Sequence, residues 1–91
     1  MAQVNIPSAM RGLTGGAASV EVPGATVGEV VAALEERFPG IAARLTQETP
    51  AGPKLRGGLT VFVDGEMPRG GLAAKVGPES EVYFAPAVAG G

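Results

Sequence analysis

The stretch "TVGEVVAALEERFPG", Thr26 to Gly40, decides the fold. Thr26 followed three residues later by Glu29 makes a capping box, in which each side chain takes a backbone N–H left unpaired at a helix start. Val27, Val30, Val31, Leu34 and Phe38 then recur at helical spacing and form one apolar stripe, with Glu29, Glu35, Glu36 and Arg37 off it. Pro39 pushes Phe38 out of helical geometry and Gly40 follows, so the helix stops there. Residues 41–45 are long enough for one further turn. A helix with a single apolar stripe needs a flat apolar surface to bury it, and the chain on either side supplies strands.

Upstream, "QVNIP" (Gln3 to Pro7) and "ASVEV" (Ala18 to Val22) alternate apolar and polar residues, which is strand periodicity; Val4, Ile6, Val20 and Val22 point inward. Residues 8–17 carry Gly12, Gly15 and Gly16 and read as a loop or wide turn. Downstream, residues 46–58, "TQETPAGPKLRGG", read as a long loop. "LTVFV" (Leu59 to Val63) is a strand, Asp64-Gly65 a hairpin turn signal, and Glu66 to Arg69 a short return strand. Residues 70–76 are irregular, anchored by Leu72. Residues 77–80 turn the chain into a last strand, "EVYFA" (Glu81 to Ala85), with Val82 and Phe84 inward. The expected architecture is α+β: a mixed sheet of four to five strands with one main helix across one face. The opposite face carries Thr60, Phe62, Tyr83 and Ala85. Either it is an exposed apolar patch that meets a partner, or the long loop covers it.

Ninety-one residues make one small domain. With one Tyr, three Phe and no Trp, the core has to be built from aliphatic side chains. A net charge of −2 with scattered arginines offers no nucleic-acid footprint and no pull toward an anionic membrane surface. Absence of Cys removes disulfides and thiolate metal sites, and absence of His removes the commonest general base and metal ligand. No metal site is expected. The first residues show no leader pattern and no apolar run reaches the length of a bilayer span, so a cytoplasmic protein is expected.

Candidate chemistry is sparse. Glu35 and Glu36 point apart on the helix; Asp64 with Glu66, and Glu79 with Glu81, border turns; all six read as solvated surface. Ser8, Ser19 and Ser80 have no base in sight, so an enzyme is not expected. The chain end is left. Residues 1–86 read as the domain and 87–91 as a flexible tail ending in Gly90-Gly91. A terminal carboxylate is a poor electrophile until ATP converts it to an acyl-adenylate inside a water-excluding site. Two residues without Cβ suit a narrow channel, and Ala87 to Gly91, extended, reach roughly 17 Å.

At Pro86-Ala87-Val88-Ala89-Gly90-Gly91, with the early strand "VNIP", the helix start Gly24 to Val30, Phe38-Pro39-Gly40-Ile41 and Gly70-Gly71-Leu72, the chain resembles the β-grasp, ubiquitin-like sulfur carriers of the MoaD/ThiS family, closest to their CysO-like branch. It departs from them in having Asp64 where many have Asn, and Gly77-Pro78-Glu79 where an acidic turn is common. The resemblance implies a β-grasp fold and a carrier that is not itself an enzyme. An E1-like adenylating enzyme, using ATP, activates Gly91; sulfur displaces AMP to leave a C-terminal thiocarboxylate; a sulfur-accepting synthase, of the cysteine synthase or molybdopterin synthase type, takes the sulfur. No cofactor is bound. Gly90 is a steric requirement, Ala87, Val88 and Ala89 thread the channel, and Phe62 and Tyr83 are the docking candidates. The alternatives are a ubiquitin-like modifier conjugated through Gly91, or a non-covalent binding module.

Overall fold

The main helix forms where its caps place it. A computed structural model describes residues 1–86, and within it α1 runs Val27–Arg37. Thr26 Oγ1 accepts the Glu29 N–H at 3.1 Å. The Glu29 carboxylate reaches back to the N–H of Ala25 at 3.0 Å, one residue upstream of the usual capping-box partner. The segment around Thr26 is also held from outside, since Val27 N–H donates to the Ala74 carbonyl and Val76 N–H to that of Ala25. Phe38 closes the helix in a non-helical conformation, its N–H on the Leu34 carbonyl at 2.7 Å. A second short helix, α2, follows at Ile41–Leu45.

Among the described residues six strands accompany these helices: β1 Ala2–Asn5, β2 Ser19–Val22, β3 Thr46–Thr49, β4 Gly52–Leu55, β5 Leu59–Val63 and β6 Glu81–Pro86. Four of them form one sheet in the order β2-β1-β6-β5. The β1–β6 pair is parallel and its flanking pairs are antiparallel, so the sheet is mixed as expected. The α1 stripe covers one face: Val27, Val30 and Leu34 are fully buried with Val4, Ile6, Val22, Val82 and Phe84. Each such side chain contributes about 1.5–3 kcal/mol by leaving water. At Gly24 the chain passes so close to α1 that a Cβ would lie 2.8 Å from the Val30 backbone nitrogen.

Several loops expected from composition are more ordered than that. Residues 46–58 are not a long loop: β3 and β4 pair as a separate antiparallel hairpin, with Thr49 facing Gly52 across a two-residue turn. Both strands are edges, so Pro53 opposite Glu48 interrupts no further ladder. Residues 8–14 form a 3-10 helix that buries Met10 and Thr14. The expected return strand at 66–69 shrinks to a single bridge between Glu66 and Val63, because Pro68 cannot donate and Gly70 turns the chain away. After it, Gly71–Ala73 is one 3-10 turn; Leu72 is only half-buried, and Ala74 and Val76 are the anchors.

Candidate functional site

Strand β6 carries the chain toward its end from the middle of the sheet. Its inward residues, Val82 and Phe84, are buried between β1 and β5, so the strand cannot shift register without exposing them. Its last residue, Pro86, lies opposite Leu59 at the start of β5. The site residues expected beyond it, Ala87, Val88, Ala89, Gly90 and Gly91, lie outside the described residues.

The other two expected site residues are brought together. Ser19, Asn5, Tyr83 and Phe62 are consecutive partners across all four strands, a row on the face that α1 leaves bare. The rings of Phe62 and Tyr83 meet edge-on, with centroids 6.5 Å apart at 67°. Tyr83 remains 51% exposed and Phe62 is half-buried. The segment expected as a long loop does not cover them: its hairpin packs beside α2 and the 71–73 turn.

On the other side of Tyr83 is a pocket of about 280 Å³, formed by Asn5, Ile6, Pro7, Ser8 and Arg11 with Tyr83 and Phe84. It exists because residues 8–14 coil into a 3-10 helix just beyond β1 rather than looping freely. The Arg11 Nε donates to the Ile6 carbonyl at 3.1 Å.

Two of the carboxylates, Asp64 and Glu35, serve structure. Asp64 has φ +53°, the left-handed region that Asp tolerates in a hairpin turn. Its carboxylate accepts the Ser80 hydroxyl at 2.8 Å and the Glu81 N–H at 3.0 Å. Ser80 Oγ in turn accepts the Gly77 N–H at 2.8 Å. The Glu81 N–H, then the Ser80 hydroxyl, hold the Asp64 carboxyl below the ordinary aspartate range. Ser80 therefore does have an acceptor, which sequence reasoning missed. A carboxylate with a lowered pKa is a weak base, however, and Ser80 is only 7% exposed, so the pair is a latch between two turns and not a nucleophile.

Glu35 is likewise more than solvated surface. Its carboxylate accepts the N–H groups of Gly40 and Ala42 and so caps α2, and those two bonds, Gly40 first, lower its pKa. An acid a few residues before a Pro-Gly break and a second helical turn was the available signal. Among the described residues no cluster of His, Cys, Asp or Glu is arranged to hold a metal ion. Among them, too, no helix is long and apolar enough to cross a membrane.

Residues 4–91 match the family described as the ThiS family. The sulfur carrier protein CysO of Mycobacterium tuberculosis (strain ATCC 25618 / H37Rv) is 40% identical over 90 residues, which span 97% of this chain and 96% of that protein. A chain in the crystal structure of the Amycolatopsis orientalis BexX/CysO complex superposes with a TM-score of 0.87 at 43% identity, each chain covered in full. The crystal structure of Mycobacterium tuberculosis CysO, an antigen, superposes equally well at 35% identity, covering 97% of this chain and 100% of that one. The fold is the ubiquitin-like β-grasp.

Proposed function

The chain belongs to the ThiS family, and on that footing we propose that it is a sulfur carrier acting in cysteine biosynthesis, with molybdopterin synthesis as the other pathway open to this chemistry. The reading rests above all on 40% identity, across nearly the whole of both chains, to a protein named as a sulfur carrier, with the family match running through Gly90 and Gly91. It makes the protein a co-substrate of other enzymes, like the carriers it resembles, and its place of action the cytoplasm.

In the proposed cycle a Gly91 carboxylate oxygen attacks the α-phosphorus of ATP on an E1-like enzyme, and pyrophosphate leaves. Hydrosulfide, or an equivalent sulfur donor, then attacks the anhydride carbonyl, and AMP departs with the original oxygen. The thiocarboxylate remains, with its proton released. A synthase passes that sulfur to its acceptor, and water supplies the oxygen that restores the carboxylate. The protein's contribution is delivery: β6 aims the chain end, Ala87 to Ala89 pass through the enzyme's channel, Gly90 keeps it narrow, and Tyr83 with Phe62 docks the domain. A chain 43% identical sits in a complex with BexX, which supports a role exercised through docking on other proteins.

Incubation with the activating enzyme, ATP and a sulfur donor is expected to raise the intact mass by roughly 16 Da, the exchange of one oxygen for sulfur, and deletion of Gly91 to abolish the gain. An unchanged mass with the intact chain rejects the proposal. Conjugates on lysines of other proteins would favour the modifier alternative.

A further inference from the structure

The pocket beside Tyr83 holds a cation whose inner half is already committed. Arg11 spends its Nε on the Ile6 carbonyl. Its own carbonyl takes the Gly16 N–H at 2.8 Å and the Thr14 hydroxyl at 3.1 Å, which fixes the backbone at that position. Among the described residues the side chain bonds a backbone carbonyl and no carboxylate. What remains is the outer edge of a guanidinium, held in place and exposed. That is a pre-oriented fork for an anion, with less rotamer entropy left to lose than a free arginine has.

The pocket narrows the choice of anion. Among the described residues that line it, Arg11 is the single cation, which matches a monoanion better than a phosphate. Pro7 and Ala9, with the half-exposed Tyr83, give it apolar surface, which suits a methylene stem. Tyr83 belongs both to this pocket and to the aromatic pair with Phe62, so one docked surface meets both. We propose that Arg11 and its pocket receive an aspartate or glutamate side chain of the activating enzyme, the guanidinium pairing with the carboxylate and the pocket enclosing its stem. The inference rests on the carrier reading and names the contact that would orient the domain as its end enters the enzyme.

The test is pyrophosphate exchange with the activating enzyme, comparing wild type, Arg11→Gln and Arg11→Glu. Gln keeps an N–H donor at the position of Nε and loses only the charge, whereas Glu loses the donor and reverses the charge, so the thermal midpoints of both are measured alongside to separate the pairing from any loss of folding. The KM for the carrier is expected to rise about tenfold in Arg11→Gln and further in Arg11→Glu, with kcat unchanged. Equal KM values for the two variants, or a KM for Arg11→Glu within about twofold of wild type, overturn the proposal while leaving the carrier reading standing. No exchange with the wild-type chain sinks the carrier reading and this inference with it.

Discussion

Asp64 shows how one residue can be read rightly for its backbone and incompletely for its side chain. The Asp-Gly pair marks a turn on sequence alone, and φ values of +53° and +84° agree with a tight hairpin. The tie to Ser80 and Glu81 joins residues 16 and 17 positions apart, a separation that no local pattern reports. Ser80→Ala is expected to cost about 1–2 kcal/mol in urea unfolding, since it leaves the Gly77 N–H without its partner. The folded Asp64 carboxyl titrates below the ordinary value of 3.8, so its stabilising effect is complete above that pH and fades as pH falls through the lower folded value. Asp64→Asn is therefore expected to flatten the acid limb of the stability curve below about pH 4, and a limb identical to wild type would refute the latch. Tyr83 carries the docking argument at this scale. Tyr83→Ala is expected to raise the KM for the activating enzyme about tenfold while the thermal midpoint stays close to wild type, because half of its surface already faces water.

Among the elements, α1 was the most legible, because its stripe, its N-cap and its proline stop agree with one another. The strands of the main sheet were legible for a similar reason: alternation at Val4, Ile6, Val82 and Phe84 matches their burial. The β3–β4 hairpin was hidden, since Pro50 and Pro53 signal a loop and a two-stranded edge ribbon lacks a buried face to impose alternation. The 3-10 helix at 8–14 was hidden as well, its Gly12 and short period resembling a turn. Leu34→Ala is expected to lose about 2–5 kcal/mol, measured by denaturant unfolding, as a cavity opens at the fully buried centre of the α1 contact. In amide hydrogen exchange, β3 and β4 are expected to lose protection well before β1 and β6, since the hairpin lacks fully buried residues while the central strands hold the core. Equal protection would mean that the hairpin belongs to the same cooperative unit.

At the level of the whole molecule, the chain divides its labour. Residues in the sheet and α1 hold β6 in a fixed register, and Glu29, Glu35, Asp64 and Ser80 are committed to caps and turns. The adjacency of Phe62 and Tyr83, the proposed docking half of the site, followed from strand alternation. The pocket at Arg11 did not, because it depends on a 3-10 coil that sequence patterning missed. The reacting half rests on residues 87–91 and so on composition and family likeness. With no cysteine anywhere in the chain, added sulfur has no thiol to join, which makes its position a clean readout. The most direct measurement is fragmentation mass spectrometry of the product formed with the activating enzyme, ATP and a sulfur donor. The account requires the whole mass gain to reside on the fragment ending in Gly91; a gain on any fragment lacking that residue, or none at all, would contradict it.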